Sequence, residues 1–202
     1  MNQSKIILAS QSPRRKELLA REKIPFSVYV TDTDETVSKS MSPKALVEEL
    51  SYRKAKSAAQ AFLGEYVLII AADTVVALKD EIFGKPQNIE DARRMLGLLS
   101  GTVHSVFTGV TLAYVEKGKV FYQKTVCETK VFFYPITEEE IDEYIETGEP
   151  FDKAGSYAIQ GIAAKFVEKI EGDFDNVVGL PVYAILDDVK QYLQKGRETS
   201  GC

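Results

Sequence analysis

Cysteine and histidine are nearly missing from this chain: of 202 residues, two are cysteine and one is histidine. Cys127 and Cys202 are too few for the disulfide framework of a small secreted domain or for a structural zinc site, so the expected setting is a reducing compartment. His104 has no Ser or Cys partner in a recognisable arrangement, which leaves a histidine triad unsupported and a structural role expected. No apolar run approaches the roughly 20 residues that span a bilayer. The N-terminal segment also lacks the charged-then-apolar pattern of a secretory signal, and a cytoplasmic protein that engages no membrane is expected. A basic surplus is lacking too: 25 Lys and Arg against 30 Asp and Glu give a net charge of -5, which argues against nucleic acid as a partner. There are no internal repeats and no low-complexity linkers. What is there is globular composition, 45% hydrophobic, enough to bury one substantial core as one large domain or as two lobes sharing a sheet.

One basic cluster stands out against the acidic background. Ile6 to Ala9 is a short apolar run expected to form a strand. Ser12-Pro13 then marks a helix start, a hydroxyl cap followed by a proline whose missing N–H costs nothing at the first helical position. Arg14, Arg15 and Lys16 place three cations in the first turn, each opposed by the helix dipole by about 0.3–1 kcal/mol. A helix that accepts this repulsion expects an anion. The hydroxyls of Ser10 and Ser12, backbone N–H groups and the arginine forks together make a phosphate cradle; the alternative is a solvated basic helix start.

Phe26 to Val30 alternates as a strand and leads into Thr31-Asp32-Thr33-Asp34-Glu35. Asp34 and Glu35 belong either to an exposed acidic loop or to a site for a hard divalent cation. Ser42-Pro43 opens a helix to about Phe62, with Leu46, Val47, Leu50, Ala58, Ala61 and Phe62 on one arc. Lys54 falls inside that arc, so its amine either snorkels to the surface or points into a cleft and needs an anion. Tyr66 to Ala72 and Val75 to Leu78 read as buried strand on either side of Asp73-Thr74. A carboxylate dropped into core sequence must be hydrogen-bonded, metal-bound or protonated. Asp73 therefore either bonds neighbouring backbone at a strand break or serves as a general base or metal ligand.

Gly84-Lys85-Pro86 is a tight turn that presents a cation, and Asn88 starts a helix whose Ile89, Ala92, Met95, Leu96 and Leu99 should face inward. Ser105 to Val115 and Val120 to Phe133 form a long hairpin, and Thr137 with Glu140 has the residue types and spacing of a capping box. Asp152 to Gly161 is a loop rich in glycine and small residues: Lys153 there can meet phosphate and Gln160 can offer a donor and an acceptor to a base edge, unless the segment is an ordinary turn. Lys165 to Ile170 is a further strand and Gly179-Leu180-Pro181 leads into the last helix. The domain is expected to cover residues 1–195, with a disordered tail over 196–202. Short strands and helices alternate throughout, which predicts an α/β fold with a mixed twisted sheet and flanking helices.

Taken together, Ser10-Gln11-Ser12-Pro13-Arg14-Arg15, Arg53-Lys54-Ala55, Ala72-Asp73-Thr74, Gly84-Lys85-Pro86, Leu99-Ser100-Gly101, Asp152-Lys153-Ala154-Gly155, Ile159-Gln160-Gly161 and Val178-Gly179-Leu180-Pro181 resemble the bacterial septum-formation inhibitor family called Maf. Each motif is weak alone; the ordered series covers nearly the whole chain. The resemblance implies a fold similar to inosine triphosphate pyrophosphatase, two lobes around a cleft, often as a homodimer. It implies hydrolysis of a nucleoside triphosphate to the monophosphate and pyrophosphate with Mg²⁺ or Mn²⁺. By position in the motifs, Asp73 would accept the proton, Ser10, Arg15, Lys54, Lys85 and Lys153 would hold the triphosphate, and Glu35, with Asp34 and Asp73, would hold the metal. Arg14, Thr74 and Gln160 resemble the branch that acts on dTTP and UTP rather than the branch that acts on 7-methyl-GTP. Two readings from other classes stand beside it: a non-catalytic nucleotide-binding regulator of cell division, and a nucleic-acid-binding protein, which the acidic balance disfavours.

Overall fold

A computed structural model describes residues 5–33 and 41–198. Asp34 and Glu35 lie outside the described residues. Seven strands, β1 (Lys5–Leu8), β2 (Ser27–Val28), β3 (Val67–Leu78), β4 (Glu81–Phe83), β5 (Val103–Glu116), β6 (Lys119–Phe133) and β7 (Val167–Glu171), make a mixed sheet flanked by helices, in the order β2-β1-β3-β5-β6-β7, with β4 on β3. By its contacts the chain divides into two compact units: residues through 73 with 108–127 and 179 onward, and residues 74–107 with 128–178.

In the first unit, β1 (Lys5–Leu8) runs parallel to the short β2 (Ser27–Val28) and to the beginning of β3 (Val67–Leu78), Leu8 lying opposite Ile70. Helix α1 (Pro13–Arg21) follows β1 directly; the Ser12 hydroxyl accepts from the Arg15 N–H, and Leu18 and Leu19 are buried. Helix α2 (Pro43–Gln60) is capped in the same way by Ser42 and buries Leu46, Val47, Leu50, Ser51, Ala55, Ala58 and Ala59. Small residues dominate that face because the helix lies close to strand backbone. Ala55, Ala58 and Ala59 join Ile7, Val67, Ile69 and Ala113 in one apolar cluster. On β5 (Val103–Glu116), a Cβ added to Gly109 would stand 2.3 Å from the Val47 carbonyl oxygen, and the Thr111 and Ser51 hydroxyls meet at 3.0 Å. Ala61, expected on the buried arc, is exposed because α2 has already ended.

The second unit has its own core around Phe83, Met95, Leu96, Leu99, Phe133 and Tyr144. The end of β3 pairs antiparallel with β4 (Glu81–Phe83), and the end of β6 (Lys119–Phe133) pairs antiparallel with β7 (Val167–Glu171). Helix α3 (Ile89–Leu99) starts at the Asn88 cap and helix α4 (Glu138–Glu146) at the full capping box of Thr137 and Glu140. Ile89 is 48% exposed, contrary to the inward position expected for it: it is the first residue of α3, ahead of the turn that meets the core.

Other boundaries also shift. β3 is one strand of 12 residues, so no break separates Val67–Ala72 from Val75–Leu78. Lys165 belongs to a 3-10 turn over Ile162–Phe166 rather than to β7. The strand β4 and the short helix α5 (Phe174–Val178) had no expectation; three and five residues are too few to show a period. The last helix, α6 (Leu186–Glu198), continues past residue 195, and 199–202 lie outside the described residues.

Candidate active site

The first unit gathers five of the predicted residues at the carboxyl ends of its parallel strands, where α/β folds place their ligands. Ser10 follows β1 and is 8% exposed. Its hydroxyl accepts from the Ser12 N–H at 3.2 Å and from Arg15 Nη1 at 3.4 Å, which fixes the turn between β1 and the α1 N-terminus. Arg15 does more than add charge. Its Nε donates to the Gly179 carbonyl at 2.7 Å and its Nη1 to the Ala72 carbonyl at 2.8 Å, so one guanidinium joins α1, β3 and the segment before α6. Arg14, beside it, is half-buried.

Asp73 comes next along β3 after Ala72 and is bonded by a side chain rather than by backbone at a break. Lys54 Nζ meets Asp73 Oδ1 at 2.5 Å, with the two side chains only 17% and 14% exposed. The lysine inside the apolar arc of α2 thus points inward, and its anion is the carboxylate that seemed stranded in core sequence. Each charge answers the other: a mostly buried ion lacking its partner would be strongly destabilising, whereas the pair is tolerated.

The second unit carries Thr74, Lys85, Lys153 and Gln160. Thr74 is half-buried; Lys85 and Gln160 are exposed. A backbone bond from Gly155 N to Gly84 O at 3.0 Å ties the Lys153 segment to the Lys85 turn. Lys153 Nζ reaches the Glu149 carbonyl at 2.7 Å and Asp152 Oδ1 at 2.5 Å. Below this loop, Tyr157 OH bonds His104 Nε2 at 2.8 Å, with both rings edge-on to Phe133. His104 is 2% exposed, and burial lowers its pKa from 6.5 to about 4; the same burial raises that of Tyr157. His104 is therefore a neutral core residue, as the sequence suggested.

Sequence reasoning missed the acceptors for Arg15, because a backbone carbonyl leaves no side-chain signature. It also missed Glu149, whose neighbours in the chain give no hint of the contacts described below. Among the described residues no group of three or more His, Cys, Asp or Glu is placed to hold a metal ion.

Known proteins match this chain over nearly its whole length. A dTTP/UTP pyrophosphatase of Geobacillus sp. (strain WCH70) is 49% identical over 186 residues, covering 92% of this chain and 97% of that protein. The dTTP/UTP pyrophosphatases of Bacillus cereus (strain ATCC 14579) and Bacillus cytotoxicus are 46% and 47% identical over 188 residues, 93% of this chain and 95% of each relative. The family model for Maf-like proteins matches residues 5–192, and this chain belongs to that family.

Proposed function

We propose that this chain is a nucleoside triphosphate pyrophosphatase acting on dTTP and UTP, releasing the monophosphate and pyrophosphate. The observation that carries the reading is the Lys54–Asp73 pair, set beside Ser10 and Arg15 at the strand ends and the α1 N-terminus. The activity named for the relatives above, at 46–49% identity over more than nine-tenths of the chain, supports the same conclusion.

The chemistry follows from those groups. Hydrolysis between the α and β phosphates needs a water brought to the α phosphorus, its proton taken up, and the charge on the departing pyrophosphate held. Asp73 is the proton acceptor. Lys54 fixes the orientation of its carboxylate and, with Ser10 and Arg15, holds the triphosphate; Lys85 and Lys153 are assigned to the same phosphates. Arg14, Thr74 and Gln160 are assigned to selecting the pyrimidine nucleotide. Asp73, Asp34 and Glu35 are hard oxygen donors of the kind that take Mg²⁺ or Mn²⁺, and they would hold that ion. When bound, it neutralises phosphate charge. We adopt the inosine triphosphate pyrophosphatase-like fold implied by the family, with residues 1–195 as one functional domain.

The test is to incubate the protein with dTTP, UTP and 7-methyl-GTP plus Mg²⁺ or Mn²⁺, and to measure pyrophosphate against orthophosphate. Pyrophosphate from dTTP and UTP is expected, and Asp73→Asn should lower the rate at least ~100-fold, the usual scale of general-base loss. Its Tm should fall because Lys54 loses its partner, so the rates are compared at a temperature where circular dichroism shows both proteins folded. Orthophosphate as product, nucleotide binding without product, or a folded Asp73→Asn variant with full turnover would each reject the reading.

A further inference from the structure

Gly161 is not a glycine for conformational reasons, since its φ of -105° suits any residue. It is a glycine because a carboxylate occupies the space of its side chain: an added Cβ would stand 2.1 Å from Glu149 Oε1 and 2.7 Å from Oε2. Each oxygen is also engaged. Oε2 accepts from the Ile162 N–H at 3.1 Å and Oε1 from the Tyr144 hydroxyl at 3.1 Å. Tyr144 is 1% exposed. Burial first, and then the Glu149 carboxylate, push the Tyr144 phenol upward, so it remains a donor.

Glu149, itself held by Tyr144, thereby pins the chain at Gly161 and Ile162, directly after Gln160. The main chain of Glu149 does a second job, its carbonyl accepting from Lys153 Nζ at 2.7 Å. One residue, in the 3-10 turn that follows α4, therefore holds the Lys153 amine directly and the backbone next to Gln160 through Gly161 and Ile162.

We propose that Glu149 is the positioning residue that sets Lys153 and Gln160 for nucleotide binding, acting through hydrogen bonds and occupied space rather than through its charge. This rests on the assignment of Lys153 and Gln160 above. Loss of the clamp loosens contacts made before and during reaction alike, which raises KM and spares kcat.

Three variants test it. Glu149→Ala should raise KM for dTTP roughly tenfold with kcat within about threefold of wild type. Gly161→Ala expels the carboxylate and should give the same split. Glu149→Gln keeps the shape, accepts from the Ile162 N–H through its amide oxygen and offers an N–H to the Tyr144 hydroxyl; its KM should stay within about threefold. Amide hydrogen exchange at Ile162 gives a readout independent of turnover, slow in wild type and Glu149→Gln, fast in the other two, with thermal melts reporting the global fold. Unchanged KM and exchange in Glu149→Ala, or Glu149→Gln as impaired as Glu149→Ala, would overturn the proposal. A wild-type protein that releases no pyrophosphate would instead reject the assigned activity, while the exchange pattern would still judge the clamp.

Discussion

At the scale of single residues, the two charges that stand in wrong-looking places are each other's partner, 19 positions apart. Lys54 and Asp73 were separately anomalous, one in the apolar arc of α2 and the other in the most apolar run of the chain; the ion pair between them resolves both. The sequence made each oddity legible but not the pairing, because nothing local ties residue 54 to residue 73. His104 shows the converse, a residue kept uncharged by its surroundings. Its folded pKa of about 4 lies below the ordinary 6.5, so between those values the unfolded chain binds a proton that the folded protein refuses. Stability attributable to His104 is therefore whole above pH 6.5 and falls as the pH drops through 6.5 towards 4. At ~1.4 kcal/mol per pH unit that interval amounts to about 3 kcal/mol. Urea unfolding from pH 7 to pH 4.5 should show this slope in wild type and a shallower one in His104→Phe, whose stability at pH 7 is lower because Tyr157 loses its hydrogen-bond partner. Equal slopes would show that His104 is protonated in the folded protein.

At the scale of elements, the best-read pieces were those with local chemistry. Ser12-Pro13, Ser42-Pro43, Asn88 and Thr137 all cap helices where expected, since a cap is a short-range hydrogen bond written in neighbouring residues. β4 and α5 were illegible because they exist by pairing and packing. The packing of α2 on β5 was hidden for the same reason. Gly109 sits in a strand, where glycine is normally a weakness, and only the structure shows the Val47 carbonyl in its side-chain space. The obstacle is backbone, which cannot swing aside. Gly109→Ala should cost about 3 kcal/mol, at the upper end for overpacking, and lower Tm by roughly 6–12 °C for a protein of this size. A melt within 2 °C or so of wild type would mean that α2 can move away from β5 at little cost.

At the scale of the whole molecule, the net charge of -5 and the cations named at the candidate site pull in opposite directions. The balance disfavours a general affinity for polyanions, while the local cations favour a compact anion. dTTP at about 100 times its Kd should stabilise the folded protein by about 2.7 kcal/mol, an upward Tm shift of roughly 5–10 °C, and the gain should shrink with added salt. A duplex DNA fragment at equal phosphate concentration should give none. An equal shift from both would mean that the basic groups form an unspecific surface.

The guanidinium of Arg15 carries one more implication, for biosynthesis. It reaches a carbonyl 164 positions further along the polypeptide. That tie cannot close until Gly179 has been synthesised and has emerged from the ribosome, so the N-terminal turn of α1 waits for a distant part of the chain to be fastened, and a fragment truncated ahead of Gly179 would lack that fastening.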